Sequence, residues 1–155
     1  ASTASESRTD AAVADVVRAL RAAVRGEVST ATRVRAEYST DASNYRVVPQ
    51  VVVVPRDVDD LLAVHEVART TGTPLTLRGA GTSVAGNAIG TGIVVDTSRY
   101  LNTIGEIDPE ARTAVVQPGV VMSSLQKAVA PHGLRFGRFF LSHPCLPSSC
   151  ACRRY

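Results

Sequence analysis

Arg78-Gly79-Ala80-Gly81-Thr82-Ser83 follows a short apolar run, Leu75-Thr76-Leu77, and opens a segment carrying two further glycines, Gly86 and Gly90. The apolar run reads as a strand, so the glycines sit at a strand end. Glycine takes positive φ and lets another group come close to the main chain. A loop built this way can turn successive N–H groups inward and form a concave anion site. Thr82 and Ser83 add hydroxyl donors at the same rim. The guest that suits such a loop is a phosphate or pyrophosphate, which points to a nucleotide cofactor. Taken alone, the loop reads equally well as a glycine-rich turn without a ligand.

Two familiar phosphate loops do not fit. A P-loop needs Gly-Lys-Ser/Thr, and the chain's single lysine is Lys127. The dinucleotide fingerprint of the βαβ type needs a third glycine where this chain has Val84. It also needs a helix before the next strand. Here the next strand, Ile93-Val94-Val95-Asp96, follows a span that holds glycines and no helical apolar period.

The flanking elements are legible by pattern. Val13, Val16, Val17, Leu20 and Val24 predict an amphipathic helix over 11–27, capped by Thr9 or Asp10. Residues 28–46 read as polar and irregular. Arg46 to Val54 reads as a strand ending at Pro55. Asp57 caps a helix through about Thr71, with Val58, Leu61, Leu62, Val64 and Val67 or Ala68 facing inward and Gly72 ending it. Ile104–Ile107 and Thr113–Val116 flank a hairpin turn, Asp108-Pro109-Glu110-Ala111. Met122–Val129 reads as a further helix. From the first strand on, the order β-α-β-β-β-β-α predicts an α+β fold rather than a regular βαβ repeat.

Arg-Gly-x-Gly-Thr-Ser-x-x-Gly, after a Val-Val-x-Pro strand end and a helix, resembles the FAD-binding domain of the vanillyl-alcohol-oxidase or p-cresol methylhydroxylase type. Within it, the chain is most similar to FAD-linked 2-hydroxyacid dehydrogenases of the glycolate oxidase and D-lactate dehydrogenase group. The landmarks recur in order over about residues 36–137. Tyr38-Ser39-Thr40-Asp41-Ala42-Ser43-Asn44-Tyr45 resembles the lead-in to the domain, and Pro49 to Pro55 its first strand. Gly92 to Ser98 resembles the strand after the pyrophosphate loop, and Val115-Val116-Gln117-Pro118-Gly119-Val120 a later strand and turn. The resemblance implies an incomplete domain of this type: a small mixed sheet packed with helices and preceded by an N-terminal helix. It divides the chain into a lead-in (1–45), a partial FAD-binding domain (46–137) and a non-family, disordered tail (138–155).

The same resemblance implies a site. Gly79, Ala80, Gly81, Thr82 and Ser83 would hold the FAD pyrophosphate through backbone and hydroxyl donors, in a loop that includes Gly86. Arg78 would begin the loop and help offset negative charge. Asn87 would hydrogen-bond the cofactor, and Pro49, Pro118 and Gly119 would line its cleft. The implied reaction is oxidation of a 2-hydroxy acid such as D-lactate or glycolate, the cofactor carrying the redox chemistry and the protein positioning it. Catalytic acid–base residues in such enzymes come from regions that this chain does not contain, so none is named. The competing expectation is a truncated, non-catalytic remnant with weak or no flavin binding; a half-site completed by another chain is a third.

Composition bounds the alternatives. A chain of 155 residues with 45% apolar content can bury one ordinary core. No stretch approaches the roughly 18 apolar residues of a membrane span. The first ten residues are polar and lack the pattern of a secretory signal, so the expected location is cytoplasmic. The net charge of +3 comes from Arg138, Arg153 and Arg154, since residues 1–137 hold fourteen basic and fourteen acidic side chains. A basic tail is not a basic face, so nucleic acid is not the expected partner. Sixteen arginines against one lysine, with abundant Ala and Val, suggest a GC-rich, bacterial genome.

The remaining candidates have plain readings. His143, Cys145, Cys150 and Cys152 lack the paired spacing of a zinc site, and three cysteines make no disulfide framework. Arg138–Tyr155 contains no Asp, Glu, Val or Ile, and the expectation is that the native reading frame ends near Gly137. His65 reads as a helix-surface residue and His132 as a favourable charge near a helix end. Asp41 and Tyr45 read by composition as an Asx-turn segment, and by resemblance as neighbours of the cofactor cleft.

Overall fold

The structure, a computed structural model, describes residues 2–137, with side chains described from residue 11. The metal and disulfide candidates at His143, Cys145, Cys150 and Cys152, and the tail reading for 138–155, lie outside the described residues. The chain divides after Asp96 into two compact units.

The first unit is built on two strands that are apolar on both faces. Val51–Val54 (β2) and Ile93–Asp96 (β4) are buried throughout, as strands in the interior of a parallel sheet are. They pair in parallel, Val51 opposite Ile93. Leu75–Arg78 (β3) pairs in parallel on the other side of β4, Leu75 also opposite Ile93. Glu27–Ser29 (β1) runs antiparallel beside β2, so the order is β1-β2-β4-β3. Ser2–Ala23 (α1) and Val58–Thr71 (α3) cover one face. Val16, Val17, Leu20 and Val24 of α1 pack there with Val64, Val67 and Ala68 of α3 and with Val51, Val53, Ile93 and Val95.

α3 starts and stops where the sequence places it. The Asp57 side chain accepts from the Asp60 N–H at 3.0 Å, and Gly72 ends the helix with φ 65°. The inward set is narrower than the pattern predicts: Val58 and Leu62 are exposed, at 51% and 63%. Val64, Val67 and Ala68 are buried against the sheet and α1, and Leu61 and Ala63 pack at their margin. The first helix starts at Ser2 and ends at Ala23 rather than running over 11–27, so Thr9 and Asp10 are not its cap. The strand over 46–54 shortens to Val51–Val54, since Arg46 instead bridges Thr40. The span 28–46 is not irregular throughout: it contains part of β1 and the short helix Thr32–Glu37 (α2). These two elements also extend the predicted order of elements.

Asp60 ties the unit together. It is 1% exposed, and its carboxylate accepts the backbone N–H groups of Arg25, Gly26 and Arg56, each at 2.9 Å. Three donors at the end of α1 and just past β2 thus find one acceptor on α3. The site leaves no room for a side chain at residue 26, where a Cβ would meet the Val54 carbonyl.

In the second unit, Ile104–Asp108 (β5) and Thr113–Val116 (β6) form an antiparallel hairpin, Ile104 opposite Val116 and Asp108 opposite Thr113. Asp108 Oδ1 accepts from the N–H groups of Glu110 and Ala111 at 2.9 Å, which forms the turn the sequence predicts. Met122–Val129 (α4) presents Leu125 and Val129 to a core with Val120 and Phe136. The Gln126 side chain pairs with both backbone groups of Phe136.

Asp60→Asn should therefore lower stability by about 3 kcal/mol, because an amide accepts poorly where buried backbone donors need a carboxylate. The check is urea unfolding of the full chain. Burial by itself would raise the Asp60 pKa. The N–H donors of Arg25, Arg56 and Gly26, with the Arg25 charge, outweigh it and hold the group below its ordinary 3.8. A depressed carboxyl stabilises the fold above its unfolded value and loses that contribution as pH falls through the folded one. The wild type should lose stability on acidification below about pH 4 more steeply than Asp60→Asn.

Candidate cofactor site

β3 and β4 are parallel neighbours, and parallel strands require a long return connection. Residues 79–92 make that return without a helix, as the glycine content predicts. The glycine loop therefore starts at the carboxyl end of β3, where open parallel sheets place their ligands.

The loop supports itself with few internal hydrogen bonds. Ser83 Oγ accepts the N–H groups of Ala85 at 3.3 Å and Asn87 at 3.0 Å, which leaves the Ser83 hydroxyl proton available to donate. The Ala88 N–H goes to Asp41 Oδ2. Among the described residues, none accepts a hydrogen bond from the amides of Gly79, Ala80, Gly81, Thr82 or Ser83. Five successive donors at a glycine-rich bend are what an anionic group needs. Gly81 has φ 68° and Gly86 φ 77°, a left-handed backbone that favours glycine. The Asn87 side chain is exposed, and Thr82 and Ser83 are half-buried.

The loop is underpinned by Arg78. The Arg78 guanidinium lies beneath Gly81, whose Cβ would stand 2.8 Å from Cζ. Arg78 Nη1 donates to the Thr40 carbonyl at 2.8 Å and the Ala88 carbonyl at 3.2 Å. Its Cζ lies 5.1 Å from the centre of the Tyr38 ring, within cation–π range. The Tyr38 hydroxyl in turn donates to Asp96 at the end of β4.

The segment 38–45 thus packs against the loop, and sequence reasoning undervalued it. Asp41 forms the Asx turn that its composition offers and also reaches the glycine loop. Its Oδ1 accepts the Ser43 N–H at 2.9 Å as an Asx turn, and its Oδ2 reaches across 47 positions to Ala88. Burial acts to raise its pKa. Hydrogen bonds from Ser43 and Ala88 and the Arg78 charge prevail, so the carboxyl is held below its ordinary value. Tyr45 is 64% exposed, and its ring edge lies where a Cβ on Gly86 would come within 3.0 Å. The available signal was the Asx-turn composition; the pairing with a loop some forty residues away leaves no local trace.

The other expected residues are placed as follows. Pro49 is buried ahead of β2, and its carbonyl accepts from Arg35 Nε. Pro118 and Gly119 lie in the second unit, at the turn after β6. Gly119 donates to the Leu101 carbonyl at 2.7 Å, and a Cβ there would meet the carbonyls of Thr97 and Leu101. Close packing of that turn accounts for the glycine. His65 is exposed on α3, as predicted. Among the described residues no cluster of His, Cys, Asp or Glu could hold a metal ion. No helix among them is long and apolar enough to cross a membrane.

These features define an α+β domain with a helix-free glycine loop at the end of a parallel strand. Comparison with known proteins makes the class specific. The FAD binding domain family matches residues 49–146, and the chain belongs to it. The match continues past Gly137, where the resemblance read from the sequence stops. D-2-hydroxyglutarate dehydrogenase of Pseudomonas putida is 43% identical over 118 residues, covering 72% of this chain and 11% of that protein. The glycolate oxidase subunit GlcD of Escherichia coli is 35% identical over 140 residues, covering 84% of this chain and 28% of that one. The chain thus spans about a tenth to a quarter of the relatives it matches. Among solved structures, alkyldihydroxyacetonephosphate synthase superposes with a TM-score of 0.67 at 18% identity, over 79% of this chain and 26% of that one. p-Cresol methylhydroxylase superposes at 0.62 and 17%, over 79% and 25%. The fold is the vanillyl-alcohol-oxidase type of FAD-binding domain, and FAD is its cofactor.

Gly81→Ala should weaken FAD binding about tenfold or more, since a strained left-handed residue must form against the Arg78 guanidinium. Calorimetric titration checks this, and an unchanged affinity would show that the loop does not depend on a glycine at position 81.

Proposed function

We propose that this chain supplies the pyrophosphate-binding wall of an FAD-linked dehydrogenase acting on a small 2-hydroxy acid. The observation that carries the reading is the run of backbone donors at 79–83 without acceptors among the described residues, in a chain of the FAD binding domain family. The matched relatives are named for D-2-hydroxyglutarate and for glycolate, both 2-hydroxy acids, and that common chemistry supports the substrate class. D-lactate belongs to the same class, through the cytochrome-linked D-lactate dehydrogenase of Kluyveromyces lactis at 32% identity.

In this reading the amides of Gly79–Ser83, with the hydroxyls of Thr82 and Ser83, donate to phosphoryl oxygens. Fixed donors that need no reorientation hold an anion at little entropic cost. When bound, the flavin supplies the acceptor for the hydride that leaves the alcohol carbon. The contribution of this chain is position: it anchors the dinucleotide at the end of β3. We assign no residue of 1–137 to proton transfer from the substrate hydroxyl. The partial domain begins near residue 46, with 1–45 as its lead-in, and its family match runs on to residue 146 rather than ending at 137. Asn87, Pro49, Pro118 and Gly119 are the further cofactor contacts of this proposal.

The test is purification without added flavin, followed by titration with FAD. A yellow protein, or a colourless one that takes up one FAD per chain, supports the reading. A folded product that ignores FAD favours the non-catalytic remnant. Dye reduction with D-2-hydroxyglutarate, glycolate and D-lactate, measured on the full-length protein, then separates cofactor binding from catalysis.

A further inference from the structure

Residues 40–42 precede the span matched by the FAD binding domain family, yet three hydrogen bonds join them to the glycine loop. Arg78 Nη1 donates to the Thr40 carbonyl, the Ala42 N–H to the Gly81 carbonyl at 3.0 Å, and the Ala88 N–H to Asp41 Oδ2 at 3.3 Å. These contacts fall at the beginning, the bend and the end of the loop. One guanidinium nitrogen bridges two carbonyls, Thr40 and Ala88, that lie on different segments. The same group is stacked against Tyr38 and packed under Gly81.

We infer that Arg78 and Asp41 are positioning residues for the phosphate loop. Arg78 acts as a pin between Thr40, Gly81 and Ala88 rather than as the counter-charge on the phosphate, and segment 40–42 is part of the cofactor site. This rests on reading the loop as the pyrophosphate cradle. The physical ground is directional. A planar guanidinium can lie over a ring and under a backbone while the two N–H groups of one terminal nitrogen reach two carbonyls; a compact lysine ammonium has no such plane to fill that gap. Amides grip an anion only when several point to one centre, so the bend at Gly81 must be held from both sides. Asp41 contributes the opposite charge, which keeps the guanidinium between its carbonyl partners and fixes the end of the loop at Ala88.

The experiment compares the full chain with Arg78→Lys, Arg78→Met and Asp41→Asn. It measures FAD and ADP affinity by calorimetry at low and high salt, and hydrogen exchange at the Ala42 and Ala88 amides without ligand. Asp60→Asn serves as a control for general destabilisation, since Asp60 is remote from the loop in its contacts. Arg78→Lys and Arg78→Met should each lose about tenfold or more in affinity, as expected when charge-assisted hydrogen bonds that shape a site are removed. Their salt dependence should parallel the wild type, and both should speed exchange at Ala42 and Ala88. Asp41→Asn should move in the same direction by less. Asp60→Asn should lower the unfolding midpoint and leave FAD affinity unchanged. Wild-type affinity and exchange in Arg78→Lys, with a salt-dependent loss in Arg78→Met alone, would make Arg78 a counter-charge and overturn the inference. So would unchanged affinity in both. A wild type that binds neither FAD nor ADP is a different failure: it overturns the cofactor reading itself, and the pin's role in binding with it.

Discussion

Two parallel strands cannot be joined by a tight turn, and this constraint shapes the cofactor site. β3 and β4 lie side by side with the same direction, so the chain leaving Arg78 must travel back along the sheet before it re-enters at Ile93. In most α/β proteins a helix makes that journey and satisfies its own backbone. Here the return has no helix, and every amide in it must find another partner. Some find Ser83 or Asp41; those of Gly79–Ser83 find no protein acceptor among the described residues. The unmet donors and the parallel topology are one fact seen twice, and the anion site follows from both.

Glycine alone would leave such a return without a fixed shape. Order comes from the segment ahead of β2, which reaches the loop through Thr40, Asp41 and Ala42, and from the Arg78 side chain beneath the bend. Below the loop, the sheet is anchored by apolar burial on α1 and α3 and by the Asp60 carboxylate, which gathers three backbone donors. In the proposed site, a rigid base and a pinned bend would let these amides hold a charged ligand without rearrangement.

Much of this was legible in the sequence because its causes are local. The valine run of β2 and the Ile-Val-Val run of β4 announce strands buried on both faces, and Asp57 and Gly72 mark the ends of α3 by cap chemistry. The glycine loop was legible because its spacing excludes both a helix and a lysine. What escaped depends on contacts distant in sequence. β1 has three residues, too few for a period, and α2 has one large apolar residue, Val34, in six. Val58 and Leu62 obey the helical period but face solvent, because the period shows an apolar side and not how much of it is covered. Asp60 reads as an ordinary first-turn acid until Arg25, Gly26 and Arg56 are seen around it. Arg78 reads as a charge beside the loop, and its partners at Thr40 and Ala88 are visible only in the fold.

The claim beneath all of this is that the free amides at the end of β3 grip linked phosphoryl groups. The most direct measurement is a backbone amide NMR titration of the labelled chain with ADP, FAD and riboflavin. The account predicts that the Gly79–Ser83 amides shift with ADP and with FAD, and stay in place with riboflavin, which has no phosphate. Shifts in these amides with riboflavin alone, or their silence throughout an ADP titration that moves other residues, would contradict it.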